Sequence, residues 1–217
     1  MGTPDPFQLA VARIALSAAR DHGFALAGGH ALIAHGIVSR PTRDVDLFTD
    51  HDQGVRAATA VVDAALVDAG FVVQAIAETS ELGEVFYGFD RNMVEFEVRR
   101  DEQVVRLQLV YFDRGQQPVV LDIGPVLHLD DVIGSKVAAM AVRVEPRDLI
   151  DIAAAQGRYT RQQLIELGCR SDPALTDEEF IDAMRRLDRL DNEVFELYGL
   201  DDEAIRELRD RFADWPR

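Results

Sequence analysis

Apolar residues recur along the chain with two different periods, and the alternation of those periods divides it into elements. Residues 7–21 (FQLAVARIALSAARD) carry apolar side chains at helical spacing and run up to Gly23, a helix stop. FALAGG (24–29) is a short apolar run closed by two glycines, which predicts a buried strand and a tight turn. HALIAHG (30–36) predicts a short helix ended by Gly36, SRPTR (39–43) a loop, and DVDLFT (44–49) a half-buried strand with polar and apolar positions in alternation. Residues 52–69 predict an amphipathic helix capped by Gly70. FVVQAIAE (71–78), VFYGF (85–89), NMVEFEVRR (92–100) and QVVRLQLVYFD (103–113) read as successive strands, with hairpin turns at 90–92 and 101–103. PVVLDIG (118–124) is a further strand or extended segment, and helical spacing returns at 129–143 and 146–156, where Pro146 stands at a tolerated helix start.

From Thr160 onward the pattern is all-helical. Thr160 with Gln163, and Thr176 with Glu179, match capping boxes. Trp215 and Phe212 are expected to pack the last helix down. Residues 160–217 hold 16 acidic and 9 basic residues, a net of −7. The expected organisation is therefore an α+β domain over residues 1–158, a mixed sheet with flanking helices, followed by a C-terminal helical region over residues 159–217.

Composition narrows the class. The 217 residues are 47% hydrophobic and 29% charged, an ordinary globular balance. No apolar run reaches the roughly 18 residues of a membrane helix, and no basic region precedes the first apolar stretch as in a secretory signal. The single cysteine, Cys169, excludes an internal disulfide and fits a reducing cytoplasm. A net charge of −16 is a poor starting point for gripping nucleic acid by bulk electrostatics and suits a basic partner. Of 23 basic residues 22 are arginine, and the one lysine is Lys136.

The densest chemistry lies between residues 28 and 46. Asp44 and Asp46 are two apart on an expected strand, so both carboxylates project from one face, roughly 6.5–7 Å apart along it. Two hard oxygen donors on one face can share Mg²⁺, which is held by a few carboxylates together with waters and phosphate oxygens. Gly28 and Gly29 leave no side chain between the backbone and a triphosphate. Arg40 and Thr42 can add donors to the same phosphates. A lone D-x-D reads as two solvent-facing carboxylates and a glycine pair as a turn, but strand, glycine pair, short helix, loop and D-x-D strand in this order look like a metal-and-triphosphate site.

GGHALIAHGIVSRPTRDVDLF resembles the first motif of the AbiEii/AbiGii toxin family of nucleotidyltransferases, within the DNA polymerase β-like superfamily. GPVLHLDDVIGSKVAAMAVRVEPRDLIDIAA resembles its second signature, a lysine on a helix followed by R-D-x-x-D, and the tail RRLDRLDNEVFELYGLDDEAIRELRDRFADW resembles the helical C-terminal region of members from actinobacteria. The resemblance implies a polymerase β-like fold and an NTP substrate. It implies that Asp44 and Asp46 hold the metal, that Gly28 and Gly29 approach the triphosphate, and that Lys136 contacts nucleotide phosphates. Arg147, Asp148 and Asp151 match the R-D-x-x-D element, whose last carboxylate counts with the active site. It also implies a toxin of a bacterial toxin–antitoxin or phage-defence pair, a cognate antitoxin, and tRNA, at its 3′ end, as the acceptor.

One position departs from the superfamily pattern. A later strand commonly supplies a third carboxylate, and the matching position in VVRLQLVYF holds Gln108. Glutamine cannot act as a base and is a weak metal ligand. Catalysis with one metal, a substitute such as Asp151, Glu95 or Glu97, or lost activity would each follow. Arg40, Arg43, Arg91, Arg99, Arg100, Arg106, Arg143 and Arg147 all fall in the α+β part and could offset the acidic charge for a tRNA acceptor. His30 and His35 flank the short helix and are expected at its ends or on the surface. His22, His51 and His128 show no ligand spacing, and Cys169 reads as structural. Two further functions stay open: a small-molecule nucleotidyltransferase of the aminoglycoside type, which the acidic balance suits, and a catalytically degenerate nucleotide-binding module.

Overall fold

The computed structural model describes residues 5–76 and 93–217. The expected strand at 85–89 and turn at 90–92 lie outside them. By packing, the described chain forms two compact units: one from Met1–His35 and Pro41–His128, the other from Gly36–Arg40 and Leu129–Arg217. The packing break falls after His128, just past the last strand, and the described chain is helical from Leu129 onward.

The first unit is a mixed sheet with helices. Its helices are α1 (Pro6–Ala18), α2 (Gly28–Ala34) and α3 (Gly54–Asp68). Asp5 starts α1 by accepting the Phe7 amide, and Pro6 fills the first turn, where a missing N–H costs nothing. Among the described residues seven strands follow the order β3 (Val72–Ile76), β4 (Met93–Arg100), β5 (Gln103–Tyr111), β2 (Asp44–Thr49), β1 (Ala25–Leu26), β7 (Gly124–Val126), β6 (Val119–Leu121). β2 runs parallel to β5 and antiparallel to β1, while β1 runs parallel to β7. The segment expected as a strand or extended stretch at 118–124 is a hairpin, β6 antiparallel to β7, turned through Asp122 and Ile123, with Gly124 at φ 125° opening β7.

Strand alternation separates the two sheet faces. Val45 and Leu47 on β2, Leu107 and Leu109 on β5, and Phe96 and Val98 on β4 are buried. α1 contacts β2 and β5, α3 contacts β4 and β5, and α2 also contacts β2. The opposite face carries Asp44, Asp46, Arg106, Gln108, Glu95 and Glu97, paired across the strands in register. A one-residue slip would bury that whole set, so the register is held by the apolar face.

The second unit is helical: α4 (Leu129–Arg143), α5 (Pro146–Ala155), α6 (Arg161–Ser171), α7 (Asp177–Leu187), α8 (Glu193–Glu196) and α9 (Asp202–Arg211). α4 lies at its centre, against α5, α6 and α7. A Cβ on Gly134 would stand 2.7 Å from the Leu167 carbonyl oxygen, and one on Gly168 2.5 Å from Val137 Cγ1, so two glycines let α4 and α6 approach backbone to backbone. Both expected capping boxes form, at Thr160 and Thr176. Trp215 is buried against Phe212 and Phe180, ring centroids 5.2 and 6.3 Å away, and closes the end of the chain onto this core as expected. Among the described residues no helix is long and apolar enough to cross a membrane.

Candidate functional site

In the sheet unit the site is organised around β2. Asp44 and Asp46 are half-buried and face the same way, while Val45 and Leu47 between and beyond them anchor the strand from behind. Thr42 closes the incoming loop: its hydroxyl donates to the Asp44 carbonyl at 3.5 Å, and its own carbonyl accepts from Gln8 Nε2 at 3.0 Å.

The two glycines differ from the sequence expectation. They do not form a turn ahead of the helix but are its first residues, Ala27 being the cap. The Ala27 amide donates to the Asp46 carbonyl at 2.8 Å, which ties the helix start to the D-x-D strand. Gly28 has φ 57°, and a Cβ built on it would stand 1.8 Å from Asp46 Oδ2. The missing side chain of Gly28 is thus the space that the Asp46 carboxylate occupies. Gly28→Ala is expected to cost only about 1–2 kcal/mol of stability for the left-handed conformation. Its effect on activity should be far larger, about 100-fold or more, because the carboxylate must swing out of place. Steady-state rates beside a thermal melt would separate the two; an active Gly28→Ala protein would mean that the Asp46 position is not used.

Among the described residues no three His, Cys, Asp or Glu side chains gather as a metal cage. Two carboxylates on one face with a side-chain-free approach fit a hard ion such as Mg²⁺, which takes few protein ligands and fills its shell with water and phosphate oxygens.

In the helical unit, five charged side chains converge. Arg40 grips Asp151 with a two-pronged fork, Nε to Oδ1 at 2.7 Å and Nη2 to Oδ2 at 2.6 Å. Lys136 Nζ lies 3.1 Å from both Asp148 Oδ1 and Asp151 Oδ2. Arg143 donates to Asp148 through Nε at 2.8 Å and Nη2 at 3.2 Å. Asp148 and Asp151 are fully buried, and Lys136 is 8% exposed. Burial pushes the Asp148 carboxyl up, but Lys136 and Arg143 beside it outweigh burial and hold it below its ordinary value. For Arg40, burial pulls downward, and the Asp151 carboxylate, with Asp148 behind it, outweighs this and raises the guanidinium.

The structure therefore brings Arg40, Lys136, Asp148 and Asp151 together, and separately Gly28, Gly29, Thr42, Asp44 and Asp46. Arg143 had no role in the motif reading, yet it is the arginine on Asp148; Arg147 turns to Glu145 at 2.7 Å. The signal was present, since residues 136 and 143 are two helical turns apart and share a face. His30 is buried rather than at the surface, and His35 Nε2 is 2.8 Å from the Leu127 carbonyl.

A family model described as nucleotidyl transferase AbiEii toxin, type IV toxin–antitoxin system, matches residues 10–214. No curated protein matches the sequence. Solved structures share the fold. JHP933 from Helicobacter pylori superimposes with a TM-score of 0.59 at 18% identity over 96% of this chain and 91% of its own. MenT4, a nucleotidyltransferase toxin from Mycobacterium tuberculosis, gives 0.59 at 18% identity over 95% of this chain and 88% of its own.

Proposed function

Because the chain belongs to the AbiEii family of nucleotidyltransferase toxins of type IV toxin–antitoxin systems, we propose that it moves a nucleoside monophosphate from an NTP to the 3′ end of tRNA. The acceptor hydroxyl oxygen bonds to the α-phosphorus as the bond to the departing pyrophosphate breaks. The observation that carries this reading is the fit of the Asp46 carboxylate into the space left by Gly28, which fixes one of two carboxylates on a single strand face.

In this reading Asp44 and Asp46 would hold Mg²⁺, which when bound neutralises charge on the phosphates. Gly28, Gly29 and Thr42 lie along the triphosphate. Lys136 contacts the phosphates, Asp148 and Asp151 aim its ammonium, and Arg40 orients Asp151 through its two-pronged fork. Residues 1–158 form the nucleotidyltransferase domain, because Lys136, Asp148 and Asp151 belong to its motifs, and residues 159–217 the C-terminal helical region. The toxin acts in the cytoplasm, where its antitoxin restrains it. A net charge of −16 favours a second acceptor class, a polycationic small molecule such as an aminoglycoside.

The test is incubation with each labelled NTP, Mg²⁺ and total bacterial RNA. Label is expected in the tRNA band. Label only on an aminocyclitol acceptor would support the small-molecule reading, and stabilisation by NTP–Mg²⁺ without transfer would mark a degenerate module.

A further inference from the structure

The polar sheet face holds a carboxylate that the D-x-D motif does not include. Asp46 on β2 is in register with Gln108 on β5, and Gln108 with Glu95 on β4, so the three side chains form one row across three strands. Neighbouring strands are about 4.8 Å apart, which makes Gln108 the lateral neighbour of Asp46 and places Glu95 one strand further out. Gln108 Nε2 donates to Glu95 Oε2 at 2.8 Å. The other oxygen, Glu95 Oε1, is 3.5 Å from Arg106 Nη1. The Glu95 side chain is only 13% exposed, so the bond is partly shielded from water.

A carboxylate only accepts hydrogen bonds, so it selects one orientation of the neighbouring amide. The NH₂ group must face Glu95 on β4, and the carbonyl oxygen is turned away from β4, toward the β2 side where Asp46 lies. A bond to a charged acceptor is stronger than a neutral one and polarises the amide, adding negative charge to that carbonyl oxygen.

We propose that Glu95 is a positioning residue that locks Gln108, and that the Gln108 carbonyl oxygen takes the place of the superfamily's third carboxylate by accepting a hydrogen bond from the acceptor hydroxyl. This rests on the nucleotidyltransferase reading above. A neutral amide does not take a proton, so Gln108 orients the hydroxyl lone pair toward the α-phosphorus, and the proton passes to water as the new P–O bond forms and pyrophosphate leaves. Arg106 pairs with the second Glu95 oxygen across β4 and β5.

The test compares Glu95→Ala, Glu95→Gln and Asp46→Ala. Glu95→Ala is expected to lower kcat about 10- to 100-fold, the usual cost of removing an outer-shell partner, with KM for the NTP little changed. Glu95→Gln keeps an acceptor for the Gln108 N–H but neither the charge nor the acceptor-only selectivity, and should recover only part of the loss. Independently of turnover, the side-chain amide of Gln108, followed by ¹⁵N NMR, should exchange slowly in the wild type and fast in Glu95→Ala. Wild-type kcat in Glu95→Ala, equal losses in both Glu95 variants, or fast amide exchange in the wild type would overturn the proposal. Transfer that Asp46→Ala abolishes and Glu95→Ala leaves intact overturns this inference alone. Transfer that survives Asp46→Ala overturns the reading beneath it.

Discussion

Asp46→Ala is expected to lose at least about 10³-fold in nucleotidyl transfer, with a melting temperature close to that of the wild type. The loss in rate follows from charge. Transfer of a nucleotidyl group builds negative charge on phosphate oxygens, and removing one preorganised group aimed at such charge costs about 10²–10³ in kcat. Asp46 is placed to count for more, because losing it leaves a single carboxylate on the face, and one carboxylate is a thin hold for a divalent ion. The unchanged stability follows from packing. Asp46 is half-buried on the polar face, whereas β2 is held by Val45 and Leu47 on the other face and by its ladders to β1 and β5. The check is the initial rate with labelled NTP beside a thermal melt. An active Asp46→Ala protein would remove the D-x-D site from the chemistry, and a large drop in melting temperature would make Asp46 structural.

Legibility in the sequence tracked how local each cause is. The capping boxes at Thr160 and Thr176, the period-two strand at residues 44–49 and the helices from residue 129 onward rest on neighbours within four residues, and they formed where the pattern put them. Gly28 and Gly29 were visible as a backbone feature, but why a glycine is needed there was not. The reason is Asp46, 18 residues later, whose carboxylate occupies the Cβ position of Gly28. The hairpin β6–β7 was hidden because its strands are three residues each and its turn, Asp122–Ile123, breaks the apolar run at a single polar residue. Arg40 shows the limit most clearly. Its sequence position beside the D-x-D strand suggested phosphate, yet its fork closes on Asp151, 111 residues away, within a unit that the other strand-side residues do not join. The Gln108–Glu95 bond was equally out of reach, since it depends on strand register.

Asp148→Ala should be the most destabilising single change in the helical unit, about 3–5 kcal/mol at neutral pH. A buried carboxylate held between two cations contributes little in net terms over an apolar replacement, but deleting it alone leaves its partners uncompensated. Lys136 would keep only Asp151, which Arg40 already occupies, and Arg143 would lose both of its hydrogen bonds to Asp148. The cost should also carry a pH signature. The folded-state value of Asp148 lies below its ordinary 3.8, so the unfolded chain takes up the proton first as pH falls. Its contribution is therefore complete above the ordinary value and disappears as pH drops through the folded one. Wild type and Asp148→Ala should differ most at neutral pH and converge below about pH 4. Trp215, the single tryptophan, is buried beside Phe212 and Phe180 in this unit, so its fluorescence in a urea titration reports the transition. A loss under about 1 kcal/mol would mean that water reaches the cluster and screens it as it does a surface pair. A gap between the two proteins that widened in acid would place the carboxyl value above 3.8 instead of below it.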